Sequence, residues 1–163
     1  MASDNKLRRT MEPTTLDLER FLPYRLSVLS NTVSAAIAQT YSLRYGLSIP
    51  EWRVMAVLGR FPEISAAEVA ERTAMDKVAV SRAVSRLLAS SRIRRSFANA
   101  DRRRSILDLS PTGKRLYQRI VPMLLEYEDA LLSALNPAER QQLDAILQRL
   151  ADQAMRLERP DNT

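Results

Sequence analysis

The stretch DKVAVSRAVSRLLASSRIRRSFANADRRRSILDLS, residues 76–110, decides the fold. Its first half has the period of a helix, because Val84, Leu87 and Leu88 fall within about 80° of Val80 at 100° per residue. The other side carries small residues, hydroxyl groups and guanidinium groups: Val78, Arg82, Ser85, Arg86 and Ala89. Such a face suits the major groove of DNA, since small residues permit close approach and Arg pairs with guanine O6 and N7.

The net charge of the chain is concentrated in the same region. Lys77–Arg115 holds eleven Lys and Arg against two Asp, a net of +9, whereas the rest holds 14 basic and 17 acidic residues, a net of −3. A charge that served solubility alone would be spread along the chain, and a concentrated one is typical of a surface that binds a polyanion. A basic amphipathic helix taken alone is more often a solvated face, so the interpretation depends on the neighbouring sequence.

The residues before this helix predict a helix-turn-helix. Ser65 and Glu68 have capping-box spacing at the start of a short helix. Ala74 and Met75 then turn the chain, and Asp76 caps the next helix. In two short helices joined this way, the second reads the groove. Such turns often have Gly where this chain has Ala74, which carries an energetic cost only if the residue needs a positive φ.

A β-hairpin is predicted after the reading helix. Ile93–Phe97 and Ser105–Leu109 are β-like runs, and residues 99–104 (NADRRR) form the connecting tip. Three consecutive guanidinium groups repel one another, and a bound anion would relieve this. A wing would hold them over the phosphates and the adjacent minor groove, whose potential attracts Arg. These arginines are Arg102, Arg103 and Arg104. Asp101 lies near enough in sequence to orient Arg103 by an ion pair. A merely soluble turn is the alternative.

Long helical patterns flank the winged segment. Apolar residues recur at spacings of three and four before Gly46, which ends the first helix. Roughly 22 residues exceed what one small core requires, so we expect this helix to pack against something beyond its own domain. Ser48–Phe61 predicts a buried second helix, which Ser48 and Glu51 open with capping-box spacing. Pro111 opens a fifth helix to about Leu135, and a sixth extends to about Leu157.

Composition excludes several classes of function. The chain has no Cys and no His, which excludes thiol sensing, disulfides and His-based acid–base catalysis. None of its 3 Gly lies in a phosphate-cradling motif. No apolar run approaches the roughly 20 residues that span a bilayer. We therefore expect no catalytic residues, no metal, no cofactor and no membrane partner, and a cytoplasmic, nucleoid-associated protein.

The order of these elements resembles the MarR family of bacterial transcriptional regulators. The wing pattern D-x-R-x5-L-[T/S] is present as Asp101, Arg103, Leu109 and Ser110, with Gly113 following. The stretch AEVAERTAMDKVAVSRAVSRL matches the helix-turn-helix of the family, and the likeness spans about residues 16–157. Two departures limit the match. Ser90-Ser91-Arg92 stands where the family often has Gly before the wing, and the missing Cys excludes the thiol-sensing branch.

The resemblance implies a homodimer built through the first, fifth and sixth helices. It implies major-groove contacts by Val78, Ser81, Arg82, Ser85 and Arg86, and an Arg103 that enters or lines the minor groove with support from Asp101. With Lys77, Arg102 and Arg104, these residues form the predicted DNA-binding set. The family also implies a small, often anionic aromatic ligand. Residue type alone suggests a pocket lined by Tyr24, Arg25, Tyr41, Trp52 and Arg53. The alternative is that these are ordinary core and surface residues.

The sequence therefore predicts a mainly α protein with one two-stranded β-wing. The expected layout is a flexible arm (1–15), a dimerisation helix (16–47), a winged helix-turn-helix (48–110), dimerisation helices (111–158) and a flexible tail (159–163). We expect a homodimeric repressor that binds a palindromic double-stranded operator and is released by an aromatic acid or acyl-CoA. The alternatives are an effector-independent architectural DNA-binding protein, a winged helix that binds proteins and, least favoured, an enzyme.

Overall fold

Helices make up most of the chain, with one small hairpin between the fourth and the fifth. The computed structural model describes residues 15–98 and 101–158, and of residues 98 and 101–104 only the backbone. Within these ranges the elements are α1 (Leu22–Tyr45), α2 (Ile49–Arg60), α3 (Ala66–Thr73), α4 (Lys77–Ala89), β1 (Ile93–Ala98), β2 (Asp101–Leu109), α5 (Pro111–Leu132) and α6 (Pro137–Glu158). The predicted mainly α fold with a two-stranded wing is confirmed.

The chain divides into two compact units, Met1–Ala36 and Ile37–Thr163. In the first unit, the described residues form a turn followed by the first part of α1. The backbone N–H of Phe21 donates to the carbonyl oxygen of Asp17 at 3.0 Å, which closes a turn before the helix. Pro23 lies in the first turn of α1, where its missing N–H needs no partner.

The apolar stripe predicted on the first part of α1 is exposed to solvent. Leu22, Leu26 and Leu29 have exposed fractions of 44%, 41% and 58%. Full burial of a leucine is worth roughly 1.5–3 kcal/mol relative to full exposure, so each of these half-exposed side chains forgoes about half of that. The stripe is therefore available to a partner surface.

The second unit buries its apolar side chains between the three short helices, the hairpin and α5. Helices α2, α3 and α4 contact one another, and α2, α3 and α5 contact β2. The face of α4 predicted to be apolar is the buried one, with Val80, Val84 and Leu87 at most 2% exposed. The other buried side chains of these elements are Trp52, Val54, Met55, Leu58, Val69, Ala70, Ala83, Ile93, Leu107, Leu109 and Ile120.

The predicted helix starts are confirmed by their side-chain caps. Ser65 accepts from the backbone N–H of Glu68 at 3.2 Å, and Glu68 Oε2 accepts from the N–H of Ser65 at 2.9 Å. Ser48 and Glu51 form a second box of the same kind. Asp76 Oδ1 accepts from the N–H of Ala79 at 2.8 Å at the start of α4. Each cap satisfies backbone donors that the helix itself leaves unpaired.

Three described non-glycine residues have a positive φ: Glu63, Ala74 and Ser91. Two of them lie in the turns on either side of α4. Ala74, between α3 and α4, has φ +50° and ψ +33°, so the cost foreseen for a non-glycine residue applies. Ser91, before the wing, has φ +52°. The turn before the wing thus keeps a conformation that favours Gly, although the chain has Ser there.

The wing is a longer hairpin than the sequence predicted. Its pairs run regularly from Ile93 opposite Leu109 to Phe97 opposite Ser105, and then the register shifts so that Ala98 pairs with Asp101. The prediction that residues 99–104 form the tip was wrong, since β2 begins at Asp101. Phe97 and Ala98 are consecutive on β1, but their partners Ser105 and Asp101 are separated by residues 102–104 on β2. These three residues therefore form a bulge in β2, and bulges are common at sheet edges.

The connection between the last two helices is longer than predicted. Helix α5 ends at Leu132 rather than near Leu135, because the chain must turn before Asn136 caps α6. The N–H of Glu139 donates to Asn136 Oδ1 at 3.0 Å. No residue of α6 is buried, and its apolar stripe includes Ile146 at 49% and Leu147 at 46% exposure. None of the described helices combines the length and apolar content that crossing a bilayer requires.

Candidate nucleic-acid interface

Helix α4 presents the polar face that the sequence predicted for groove reading. Val78, Ser81, Arg82, Ser85 and Arg86 are all exposed, and the apolar residues of the same helix are buried on the opposite side. The burial of Val80, Val84 and Leu87 fixes the rotation of the helix about its axis. The exposed set therefore forms one coherent surface, with small and hydroxyl side chains beside two neighbouring guanidinium groups.

A concave surface joins this face to the wing. A cavity of about 270 Å³ is lined by Lys77, Ser81 and Ser85 of α4 and by Arg95 of β1, together with Ala66 and Ala67 of α3. Arg95 was missed in the sequence analysis. The alternation of side chains along β1 could have predicted its position. Arg95 is two residues after the buried Ile93, so both side chains lie on the face of the strand that is turned toward α4. Two cationic side chains from different elements thus converge beside the reading helix.

The base of the wing is held by a buried carboxylate. Asp108, 5% exposed, accepts from Arg94 Nη2 at 2.6 Å and from the backbone N–H of Leu109 at 2.8 Å. The Nζ of Lys114 lies 3.9 Å from the same carboxylate. The N–H of Leu107 donates to the carbonyl oxygen of Ile64 at 2.8 Å, which fastens the wing to the α2–α3 loop.

The predicted contacts at the end of the wing lie outside the described side chains. Only the backbone of Asp101, Arg102, Arg103 and Arg104 is described, within β2. Their roles in binding DNA stay predictions from sequence.

Three of the five residues suggested for a ligand pocket come together in the second unit. Tyr41 is 1% exposed, Trp52 is 9% exposed, and their ring centroids are 5.6 Å apart. Desolvation by burial raises the pKa of Tyr41 from 10.0 to about 12, against the opposing charge of Arg53. Tyr117 on α5, also missed, stacks on Trp52 at 5.9 Å. It does so across Gly59, where a Cβ would lie 2.5 Å from the Tyr117 ring.

The remaining two residues suggested for the pocket belong to the first unit. Tyr24 and Arg25 lie near the start of α1, and both are exposed, Tyr24 by 45%. Of the five residues suggested for a pocket, Tyr41, Trp52 and Arg53 therefore lie together in the second unit. Its part at Tyr24 and Arg25 stays a prediction.

Comparison with known proteins agrees with this geometry. The model of the MarR family matches residues 45–104. The chain is 30% identical over 105 residues to the HTH-type transcriptional regulator BilQ of Clostridium symbiosum (strain WAL-14163), covering 64% of this chain and 73% of BilQ.

Solved structures extend the likeness to the flanking helices. A MarR/EmrR family transcriptional regulator from Acinetobacter sp. ADP1 has a TM-score of 0.80 and 26% identity, over 86% of this chain and 99% of that chain. BpsR of Bordetella bronchiseptica, studied for the regulation of its DNA binding by 6-hydroxynicotinic acid, has a TM-score of 0.74 and 25% identity. That match covers 85% of this chain and 98% of BpsR. With a helix-turn-helix, an exposed basic face on α4 and a two-stranded wing in the same order, the chain belongs to the MarR family of DNA-binding transcriptional regulators.

Proposed function

We propose that this regulator is a homodimeric repressor that binds a palindromic operator and is released by a small aromatic acid or acyl-CoA. The observation that carries the DNA-binding part is the exposed face of α4, with Arg82 and Arg86 beside Ser81 and Ser85. Arg reads guanine O6 and N7, each good bidentate pair being worth about 1–3 kcal/mol of discrimination. Lys77 and Arg95, which line the adjacent cavity, supply phosphate contacts.

The predicted contacts of the wing extend this interface. Arg103 would occupy the minor groove with Asp101 orienting it, and Arg102 and Arg104 would contact the neighbouring phosphates. These roles follow from the family pattern and from the charge of the segment.

The exposed apolar faces support the dimer. Leu26 and Leu29 on α1 and Ile146 and Leu150 on α6 are each at least 39% exposed. Contiguous apolar patches of this kind mark interaction sites. A two-fold dimer would pair the same faces of both copies and present two reading helices to one side of a duplex. Successive half-sites on DNA lie about 34–36 Å apart, which sets the spacing that the dimer must match.

Release by a ligand requires that the ligand bind one dimer shape better than another. DNA selects the shape whose reading helices match the half-site spacing, and a ligand that favours another shape lowers DNA affinity by the same coupling. We place the aromatic carboxylate at the cluster of Tyr41, Trp52 and Arg53, because two aromatic rings of the core and a cation lie together there. In the related BpsR, DNA binding is regulated by 6-hydroxynicotinic acid, an acid of that type.

Footprinting on genomic DNA tests the proposal against its alternative. A repressor of this kind protects discrete palindromes, and an aromatic acid or its CoA ester removes the protection. Broad protection that no aromatic acid or CoA ester alters would instead support an effector-independent architectural protein. Absence of salt-sensitive binding to any duplex would exclude both.

A further inference from the structure

Four arginine side chains line a single cavity of about 360 Å³ at the base of the wing. They come from the end of α1, from the residue before β1 and from the first turns of α5. The four are Arg44, Arg92, Arg115 and Arg119, and the other lining residues include Tyr45 and Thr112. None of the described residues that line the cavity is acidic.

Two of the four guanidinium groups are held in place by neutral partners. Arg92 Nη2 donates to the carbonyl oxygen of Tyr45 at 2.5 Å, and its Nη1 donates to that of Gly46 at 3.4 Å. Arg115 Nη2 donates to Thr112 Oγ1 at 3.1 Å. A guanidinium group has five N–H donors, so both side chains are oriented while keeping donors for a ligand. These contacts also leave the positive charges uncompensated.

The nearest carboxylate on the wing does not neutralise the cluster. Asp108 is occupied by Arg94, Lys114 and the backbone N–H of Leu109. Across residues 15–98 and 101–158, no described ion pair joins any of the four cavity arginines to an acidic group. Like charges gathered in one cavity repel, and an anion bound among them would relieve that repulsion.

The chemistry of the cavity favours a phosphate rather than a single carboxylate. Arginine forms bidentate hydrogen bonds with phosphate oxygens, and four guanidinium groups match a ligand with more than one negative charge. Arg115 and Arg119 are one helical turn apart, so both can reach one ligand. The cavity volume is in the range of sites for small molecules. We propose that this cavity binds a small phosphorylated anion.

The lining of this cavity shares no residue with the cavity beside α4 or with the cluster of Tyr41, Trp52 and Arg53. Arg92 precedes Ile93 at the base of the wing, and β1 ends at Ala98 near the tip. At about 3.3 Å per residue, the base lies roughly 17 Å from the tip. A free phosphorylated ligand is thus favoured over a backbone phosphate of DNA bound at the wing tip. The inference does not depend on the proposed aromatic ligand.

Thermal unfolding of the full-length protein with inorganic pyrophosphate tests the site. At constant ionic strength, millimolar pyrophosphate should raise the unfolding midpoint of the wild type, because a ligand that binds only the native state stabilises it. The double variant Arg115→Gln with Arg119→Gln should lose this response, with affinity by calorimetry at least about tenfold weaker. Arg82→Gln with Arg86→Gln, which removes equal charge from α4, should keep it.

Each other outcome overturns the proposal. No pyrophosphate response in the wild type excludes the site without any variant. Loss of the response only in the α4 variant would assign pyrophosphate to the DNA surface. If pyrophosphate fails to bind while the Arg115/Arg119 variant loses DNA affinity, the cavity contacts a backbone phosphate of DNA instead. Should the double variant fold poorly, Arg44→Gln alone removes one cavity charge from a different helix and must weaken pyrophosphate binding.

Discussion

The carbonyl oxygen of Arg92 lies directly against Gly113, so closely that a Cβ at residue 113 would overlap it. The same oxygen accepts from the backbone N–H of Ser110 at 3.1 Å, and Ser110 Oγ accepts from the N–H of Gly113 at 2.9 Å. The start of α5 is thereby fastened to the first residues of the wing. The glycine that the family pattern places after the wing thus has a steric reason.

Gly113→Ala is expected to destabilise the protein by about 1–3 kcal/mol, because backbone must move to accommodate the new methyl group. Because alanine favours a helix over glycine by about 1 kcal/mol, the free-energy cost of the steric overlap has to exceed that amount for the variant to be less stable. Chemical denaturation measures the change. Gln118→Ala, at an exposed site of the same helix, should alter stability by at most about 0.5 kcal/mol. Equal stability of wild type and Gly113→Ala would contradict the close contact.

Ala74→Gly is expected to stabilise the protein by on the order of 1 kcal/mol. The left-handed backbone at φ +50° costs a residue with a Cβ about 1–2 kcal/mol, and the greater freedom of unfolded glycine offsets part of the gain. Ala67→Gly, at an exposed position inside α3, should have the opposite sign. Thermal unfolding of both variants gives the comparison. A loss of stability in Ala74→Gly would mean that the turn is not left-handed in solution.

Arg82→Ala should weaken binding to the operator by on the order of 1–3 kcal/mol more than binding to random DNA. The exposed guanidinium group lies on the reading face of α4, where it can reach base edges. Fluorescence anisotropy with an operator selected from a random pool, in competition with random duplex, separates the two effects. An equal loss on both duplexes would argue that Arg82 contacts phosphate and not bases.

Ile146→Glu should convert the proposed dimer to a monomer. The side chain is 49% exposed on the apolar stripe of α6, so the substitution leaves the buried core unchanged but puts a charge into the proposed interface. Gln141→Glu adds the same charge on the opposite face of that helix and should leave the dimer intact. Sedimentation equilibrium distinguishes these states. A stable dimer of the Ile146→Glu variant would exclude this stripe from the interface.

Stability should fall as the pH rises from about 10 to about 12, in part through Tyr41. Burial raises the pKa of Tyr41 in the folded protein above its ordinary value of 10.0. As the pH rises, the unfolded chain therefore loses this proton first, and deprotonation stabilises the unfolded state relative to the folded state. The contribution of Tyr41 is complete below pH 10 and is lost as the pH passes the folded pKa. Urea midpoints measured across this range should decline less in Tyr41→Phe. Parallel curves for both proteins would contradict the role of Tyr41.

Most elements could be predicted because their signals are local. The caps at Ser48, Ser65 and Asp76 need only the side chain and the next three residues, and each occurs as predicted. The end of the wing was predicted wrongly because its structure depends on contacts between two strands and not on a local sequence signal. The bulge that carries residues 102–104 into β2 depends on the cross-strand register, which a hairpin sequence with so many arginines does not specify.

By itself, the sequence determined the order of the elements, the rotation of α4 and the concentration of charge near the wing. These follow from periodicity, capping and composition, which act over a few residues. Only the tertiary structure decided that Arg95 lies beside Lys77, that Tyr117 stacks on Trp52 and that four arginines share one cavity. Such contacts join residues far apart in the chain, and they exist only once packing has fixed the helices and the hairpin against each other.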